Sequence, residues 1–474
     1  MNEMLMQILR VSGVFFLLYL LLYASYLFLS VAAGAGRLYQ VDRMRSIKNE
    51  LKHDFYFPVS VLVPAHNEEV TILDSVKSLL NLDYRLYEII VIDDGSGDNT
   101  SQVLIDHFQM RAINRPIRFS VPCQPIETVY EAPNTRVRLT LLRKKNGGKG
   151  DALNAGINAA QYPYFICLDA DSMLQWDSLE RIVQPVMEDD DVVAVGGLIR
   201  VAQCVRYDLD DTNANHRTLS YHLPWNFLIS MQVMEYDRSF LASRILLDGF
   251  NGNLIISGAF GLFKKSTVVA AGGYATDSLG EDMELVAKLH AYCRNNMQRY
   301  SIRYEPNAVC WSQAPSTLGD LFKQRRRWHI GLLQSLSRYR FMFMKSRFGW
   351  VGSISFLYYL LYELFSPLIE LAGLGVTILA AAVGLLDPLF MVQFYLLFAV
   401  YNSILTITAF FQRIYTQKLS ISRQDVVRAC VMCFVENVFF RFVFDFIRLS
   451  AFVHYRKHKG NWGSIKRVKH TDAR

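Results

Sequence analysis

Asp169 and Asp171, one residue apart in YFICLDADSML, follow an apolar run that includes Phe165, Ile166 and Leu168. Like charges this close repel, and each raises the other's pKa unless something positive sits between them. Alone, the pair reads as a strand-end turn with two solvated acids, because Asp favours turns. Four other stretches carry groups of comparable use. Asp93 and Asp94 precede a Gly-Ser-Gly turn in VIDDGSGDNT, which would equally serve as a strand-turn-helix with Ser96 or Asp98 as cap. Gly147, Gly148, Lys149 and Gly150 in NGGKGDALNAG stand just before a helical pattern. Open amides, a helix N-terminus and an ammonium there suit a phosphate. Glu281 and Asp282 open the amphipathic LGEDMELVAKL, where acids also gain from the helix dipole. Gln324, Arg327 and Trp328 lie in QRRRW, whose composition would also fit a membrane-surface belt. Together these types offer carboxylates for a hard divalent cation, a base for a hydroxyl proton and cations for phosphate.

The elements that must position them are short apolar strands alternating with helical stretches from residue 57 onward. PVSVLVPAHNEE reads as a strand ending at Pro64, and EIIVIDDGSGDNT and VRLTLLRKKNGGKG each read as a strand followed by a turn and a helix. Such alternation predicts a mostly parallel sheet covered on both faces. Ligands of such sheets sit beyond the carboxyl ends of the strands. The acids at 93, 94, 169 and 171 all fall at strand ends, so one rim should collect them. Residues 109–135, with several prolines, read as a surface insertion. Residues 206–250 show helical periodicity with Trp225, Phe227 and Phe240, placed against a membrane or over the site.

The chain has 474 residues, 51% of them hydrophobic, and a formal net charge of +7. Residues 11–33 (VSGVFFLLYLLLYASYLFLSVAA) and 390–411 (FMVQFYLLFAVYNSILTITAFF) carry no charge and are long enough to cross a bilayer. The first is too long for a signal-peptide core and is read as a retained anchor. A third apolar segment, about 356–386, is interrupted by Glu363, Pro367 and Glu370. Basic clusters flank these segments: Arg37 to Lys52, Arg338 to Arg347, Arg413 to Arg423, and Arg456 to Lys469. If basic loops stay cytoplasmic, the N-terminus lies outside, residues 34 to about 350 inside, a two-span hairpin follows, and the tail is inside. Residues 424–453 are apolar yet carry Arg428, Glu436, Arg441, Asp445 and Arg448. They are expected as interfacial or re-entrant helices packed on the spans. Membrane flanking explains the positive charge, so nucleic acid is not an expected partner. The seven cysteines are scattered and expected to be reduced. Cys430 and Cys433, a C-x-x-C without a second pair, read as packing residues.

In this order the motifs resemble the processive family 2 glycosyltransferases, the group of the cellulose, chitin, hyaluronan and poly-N-acetylglucosamine synthases. The family pattern of an acidic turn, D-x-D, T/G-E/D-D and Q-x-x-R-W is matched by Asp94, Asp169-Ala170-Asp171, Gly280-Glu281-Asp282 and Gln324 to Trp328. VSVLVPAHNEE, KNGGKGDALNAG and SGAFGLFKK look like further signature stretches. The resemblance implies an α/β GT-A fold, Rossmann-like with a mostly parallel sheet, combined with transmembrane and interfacial helices. It also implies a nucleotide-sugar donor, usually a UDP-sugar. Nucleobase and ribose would be held by Pro64, Glu68 and Asp94, with Asp93 also among the nucleotide-sugar-binding residues. Lys149 would lie near the diphosphate or acceptor, Asp169 at the donor, and Asp171 would ligate Mg²⁺ or Mn²⁺. Asp282, beside Glu281, would be the general base. Gln324, Arg327 and Trp328 would line the acceptor site and help hold the diphosphate.

The expected division is a transmembrane anchor (1–34), a basic linker (35–56), the GT-A domain (57–316), interfacial helices bearing Q-x-x-R-W (317–350), transmembrane and interfacial helices (351–453) and a basic cytoplasmic tail (454–474). The expected location is the inner (plasma) membrane, multi-pass, with the catalytic domain cytoplasmic. The expected function is inverting transfer of sugar onto a growing β-linked polysaccharide. The partners are the donor, the saccharide acceptor, the lipid bilayer and an accessory or export protein. Two other readings compete: transfer of one sugar to a lipid-linked or glycolipid acceptor, and an inactive sensor or export scaffold. The scaffold would have lost one of Asp171, Asp282 or Trp328, and all are present. Gly280 stands where the cellulose synthases carry Thr, a form nearer the chitin and hyaluronan type that favours an N-acetylhexosamine. Three spans are few for a polymer channel, so residues 424–453 or a partner would have to contribute.

Overall fold

The computed structural model describes residues 3–48, 56–205, 221–416, 419 and 421–458. Its centre is one ten-stranded sheet. The strands are β1 (Val59–Ala65), β2 (Tyr87–Asp94), β3 (Arg111–Ile113), β4 (Ile126–Glu131), β5 (Arg138–Lys144), β6 (Tyr164–Leu168), β7 (Met173–Leu174), β8 (Val192–Val201), β9 (Phe260–Lys264) and β10 (Ser301–Ser312). They lie in the order β3-β4-β5-β2-β1-β6-β9-β8-β10-β7. Only β4, β7 and β9 oppose the common direction, so the sheet is mostly parallel, as a GT-A domain requires. Every residue of β2 is buried, the signature of a strand covered on both faces. On one face Val59, Val61 and Val63 pack with Ile72, Val76, Leu104, Leu179 and Ile182 from the helices of residues 72–80, 100–108 and 178–188. On the other, Leu62, Ile90 and Ile92 meet Leu153, Ile157, Leu285 and Leu289.

Register collects the site. β1 pairs in parallel with β2, setting Ala65 opposite Asp93, and β2 with β5, setting Asp94 opposite Lys144. β6 lies parallel to β1, so Asp169 follows at the same edge. β9 runs the other way and pairs Phe260 with Leu168, which brings Gly258 to that edge from its N-terminal side. β10 ends there too, with Ser312 opposite Val201. The stretch 109–135 differs from a mere surface insertion: β3 and β4 extend the sheet antiparallel beyond β5. Prolines and a three-residue strand hid this pattern.

The Glu3–Lys48 helix continues past the boundary expected at 34, and Leu38 is buried with the sheet's core. Two helices are long and apolar enough to cross a membrane, Met6–Gln40 and Pro388–Ile414. Val351–Leu364 and Ser366–Ala382 qualify as a third only together, and they meet at 56°. Pro367 opens the second of them, where its fixed φ suits a helix start but not a continuing helix. The Glu3–Lys48 helix lies against these helices, with Tyr26 stacked on Tyr358 at 4.4 Å and Tyr401 donating to Ala24 O at 3.1 Å. Residues 423–458 form the helices Arg423–Val435 and Arg441–His458 around a π turn at 436–440. Their charges turn inward: Arg441 forks onto Glu370 at 2.6 and 2.7 Å, and Arg238 forks onto Glu436 at 2.8 and 3.2 Å. The expected basic tail falls outside the described residues from 459 onward, as does the 206–220 part of the helical segment. All seven cysteines are free.

Candidate active site

Asp94 ends β2 and is held from three sides. Gly147 N and Gly148 N donate to its carboxylate at 3.0 and 2.7 Å, and the Lys144 ammonium pairs with it. Gly148 has φ +87° and Gly95 φ +65°, left-handed conformations that glycine adopts freely. A side chain at Gly95 would also strike Asn146 N at 2.8 Å. Lys144 is fully buried and reaches Asp151 as well, at 2.7 Å. Asp93 behaves differently. Successive strand residues face opposite ways, and Asp93 accepts from Ser96 N at 2.9 Å and from the Ser101 hydroxyl. It ties the turn to the next helix and is not among the residues that line the cavity. Pro64 and Glu68 do line the cavity, with His66 and Asn146 between them and Asp94. Asn146 donates to Asp94 O at 2.8 Å, and His66 Nδ1 lies 3.1 Å from the same oxygen. The sequence reading passed over both, although His66 stands inside the VPAHNEE stretch.

The positive group beside Asp169 is Lys149, which bridges it to Glu281. Its Nζ lies 2.5 Å from Asp169, 3.2 Å from Glu281 and 3.3 Å from Gly258 O. Burial works against this ammonium, but Asp169 and Glu281 outweigh burial and hold its pKa above the ordinary range. Burial pushes the Glu281 carboxyl up, and Lys149 opposes that shift. Asp282 sits one position on, in the first turn of the Glu281–Asn295 helix. Its oxygens accept from Gly258 N at 3.2 Å and Met283 N at 2.8 Å, which fixes the carboxylate toward the cavity it lines.

Gln324, Arg327 and Trp328 share one face of the Leu318–Arg338 helix by their i, i+3, i+4 spacing. Thr317 caps this helix by accepting from Asp320 N at 3.2 Å. Trp328 is 41% exposed and lines the cavity, an apolar ring left open. The helix approaches the Gly280 turn backbone to backbone: a Cβ on Gly331 would lie 2.7 Å from Gly280 N. Glycine at 280 therefore has a packing reason.

All the expected site residues other than Asp93 line one cavity of about 1050 Å³. It continues between the long apolar helices, past Tyr23, Tyr362, Glu370, Asn402 and Arg441. Among the described residues no three His, Cys, Asp or Glu side chains are gathered to hold an ion. Asp171 and Asp169 offer hard oxygen ligands of the kind Mg²⁺ uses when substrate phosphates complete its shell.

Comparison with known proteins identifies the family. The model for glycosyl transferase family group 2 matches residues 164–412, and that for glycosyl transferase family 2 matches residues 60–121. Over 335 residues the chain is 31% identical to the poly-beta-1,6-N-acetyl-D-glucosamine synthase of Staphylococcus aureus, covering 69% of this chain and 68% of that protein. The Staphylococcus epidermidis synthase of the same name is 32% identical over 290 residues, 60% of this chain and 57% of its own. Among solved structures, a Pyrobaculum calidifontis mannosyltransferase in complex with GDP-Man and Mn²⁺ is similar with a TM-score of 0.49 and 18% identity, over 88% of this chain and 99% of that one. On its sequence and the residues its sheet rim gathers, the chain belongs to glycosyltransferase family 2.

Proposed function

We propose that the chain is a membrane-embedded, inverting polysaccharide synthase that adds N-acetylglucosamine from its UDP donor to a growing β-linked chain. The observation that carries this reading is the single cavity running from Asp94 and Asp171 past Asp282 and Trp328 and on between the apolar helices. A single-transfer enzyme has no need of the far half of that space. The relatives' printed activity, with Gly280 in place of Thr, supports the N-acetylhexosamine.

Pro64, Glu68 and Asp94 would hold the nucleoside, with Lys149 and Asp169 toward the diphosphate and donor sugar. A divalent cation, Mg²⁺ or Mn²⁺, held by Asp171 and by phosphate oxygens would neutralise charge on the departing diphosphate. Asp282 takes the proton of the acceptor hydroxyl as that oxygen attacks the anomeric carbon and the bond to UDP breaks on the opposite face. An α-linked donor thus yields a β-linked product. Arg327 presents a fork to phosphate, while Gln324 and Trp328 receive the acceptor sugar. The intramembrane half of the cavity then takes the lengthening chain, with or without an export partner. The catalytic rim faces the cytoplasm in this reading.

The test uses purified full-length protein in nanodiscs with Mn²⁺ or Mg²⁺ and a panel of UDP-sugars, following UDP release and product size. Long product from one donor, abolished by EDTA and reduced about 10²–10⁴-fold in Asp282→Asn, supports the reading. UDP release with only short or lipid-linked product refutes the polymerase.

A further inference from the structure

Behind the open ring of Trp328 lies a charged assembly that the reaction above does not use. Arg325, one helical turn before Trp328, is buried, and its guanidinium forks onto Glu235 with both contacts at 2.6 Å. The same guanidinium lies 4.6 Å from the centre of the Trp328 ring and 5.2 Å from that of Phe444. Three elements meet here: the helix of QRRRW, the Phe227–Arg238 helix that brings Glu235, and the Arg441–His458 helix that brings Phe444. An indole with two rotatable bonds would otherwise be free to swing into a cavity of this size. A cation over a ring is attracted to its face, more strongly when the pair is desolvated. The bidentate carboxylate fixes the plane of the guanidinium and so the plane of the indole.

We infer that Glu235 and Arg325 are positioning residues for the acceptor: they hold the Trp328 ring in the plane against which the terminal sugar of the growing chain stacks, and so set how firmly that chain is retained between additions. The inference rests on the polysaccharide reading of this cavity. Arg325 occupies a position that Q-x-x-R-W leaves open, so the motif alone does not assign it. Because the pair acts through Trp328, its loss should change acceptor handling more than donor recognition.

The test compares wild type with Glu235→Gln, Arg325→Lys and the exchange Glu235→Arg/Arg325→Glu, each as full-length protein in nanodiscs. Three quantities are read: the KM for the UDP-sugar, the KM for an added short β-linked N-acetylglucosamine oligosaccharide, and the size distribution of product. Glu235→Gln and Arg325→Lys should raise the oligosaccharide KM roughly tenfold, a factor of the order a lost cation–ring contact supplies, and shorten the product. The donor KM should stay within about twofold. The exchange restores an ion pair but removes the cation from the ring, so it should resemble the single variants and not wild type. If the exchange restores long product, or if donor KM worsens in step with acceptor KM, the pair is structural and the inference fails. A variant too unstable to bind donor counts as that second outcome, whereas Arg325→Lys with wild-type acceptor KM and product refutes the role of the planar stack. Wild-type protein that releases UDP yet never elongates the oligosaccharide refutes the polysaccharide reading instead.

Discussion

Lys144→Met removes the ammonium that holds Asp94 at the end of the cavity where the proposed function seats the nucleoside. Its side chain is 0% exposed, and it pairs with Asp94 and, at 2.7 Å, with Asp151, themselves 4% and 7% exposed. Methionine fills nearly the same space, so the change is almost purely electrostatic. Asp94 keeps the amides of Gly147 and Gly148, and Asp151 keeps the amide of Gln124 at 3.0 Å. Two buried carboxylates then face each other without a counter-charge. Breaking a buried ion pair from one side costs about 3–5 kcal/mol. For a domain of this size that lowers the thermal unfolding midpoint by on the order of 10 °C. Adding Asp151→Asn removes one of the two stranded charges while leaving an acceptor for Gln124. The coupling between neighbours in one network, about 0.5–3 kcal/mol, should return part of the loss. Activity should divide differently: with Asp94 loosened, donor KM rises several-fold while kcat changes little, because Asp282 lies on a different segment. Thermal unfolding in nanodiscs and donor saturation curves measure both. A Lys144→Met protein that melts with wild type and keeps its donor KM would refute the reasoning. So would a double variant less stable than the single one.

Gly331→Ala should stabilise an exposed helix by roughly 1 kcal/mol on propensity alone. Here its Cβ would meet Gly280 N at 2.7 Å, so turnover should fall at least about tenfold as the Asp282 turn separates from the Trp328 helix; an active, more stable variant would contradict the contact. His290 is buried, with Nδ1 2.7 Å from Tyr300 Oη and Nε2 2.9 Å from Asn253 O, and burial, helped by Arg294, pushes its pKa down to about 4. The unfolded chain takes up this proton near pH 6.5 and the folded chain only near pH 4. Stability from this group is therefore full above about pH 6.5 and is lost as pH falls toward 4, by roughly 3 kcal/mol; His290→Gln should flatten the unfolding midpoint over that window. Asp237→Asn strands Arg413, which Asp237 meets at 2.6 Å, beside the buried Arg200. It should destabilise the junction of the sheet and the apolar Pro388–Thr416 helix by about 3 kcal/mol, read as a fall in the unfolding midpoint with donor KM unchanged.

Strand-end acids were legible because apolar runs mark the strands and a parallel sheet presents its carboxyl ends on one rim. The order of Asp94, Asp171, Asp282 and Trp328 along the chain then sufficed to gather them. Asp93 shows the limit of that logic. Alternation along a strand already required one of two adjacent acids to leave the cavity, but which one depends on the register of β2 against β5, and register is tertiary. Glu235 and Arg325 give no local signal at all, since their meaning lies in a fork between residues 90 positions apart. The mutual contact of Gly280 and Gly331 is of the same kind: sequence shows two glycines, and only packing shows that each excludes a side chain on the other.

The segment at 424–453 carries this reasoning furthest. Averaged hydropathy treats Glu436, Arg441 and Asp445 as charges that spoil an apolar helix. In three dimensions Glu436 meets Arg238 and Arg441 meets Glu370, on helices far away in the chain. A charge facing lipid would be costly, and one paired within the protein much less so. These pairs also line the inner half of the cavity. The residues that weaken the hydropathy signal are thus the ones that make the space between the helices polar, as the carbohydrate of the proposed function requires. Replacing one partner by an apolar residue, as in Glu370→Leu, would raise mean hydropathy while leaving the half-buried Arg441 without its forked carboxylate. By hydropathy alone that variant should insert better and work as well. By the pairing it should lose stability by about 3–5 kcal/mol, and product length should fall with it, a contrast that thermal unfolding and product sizing on the same preparation decide.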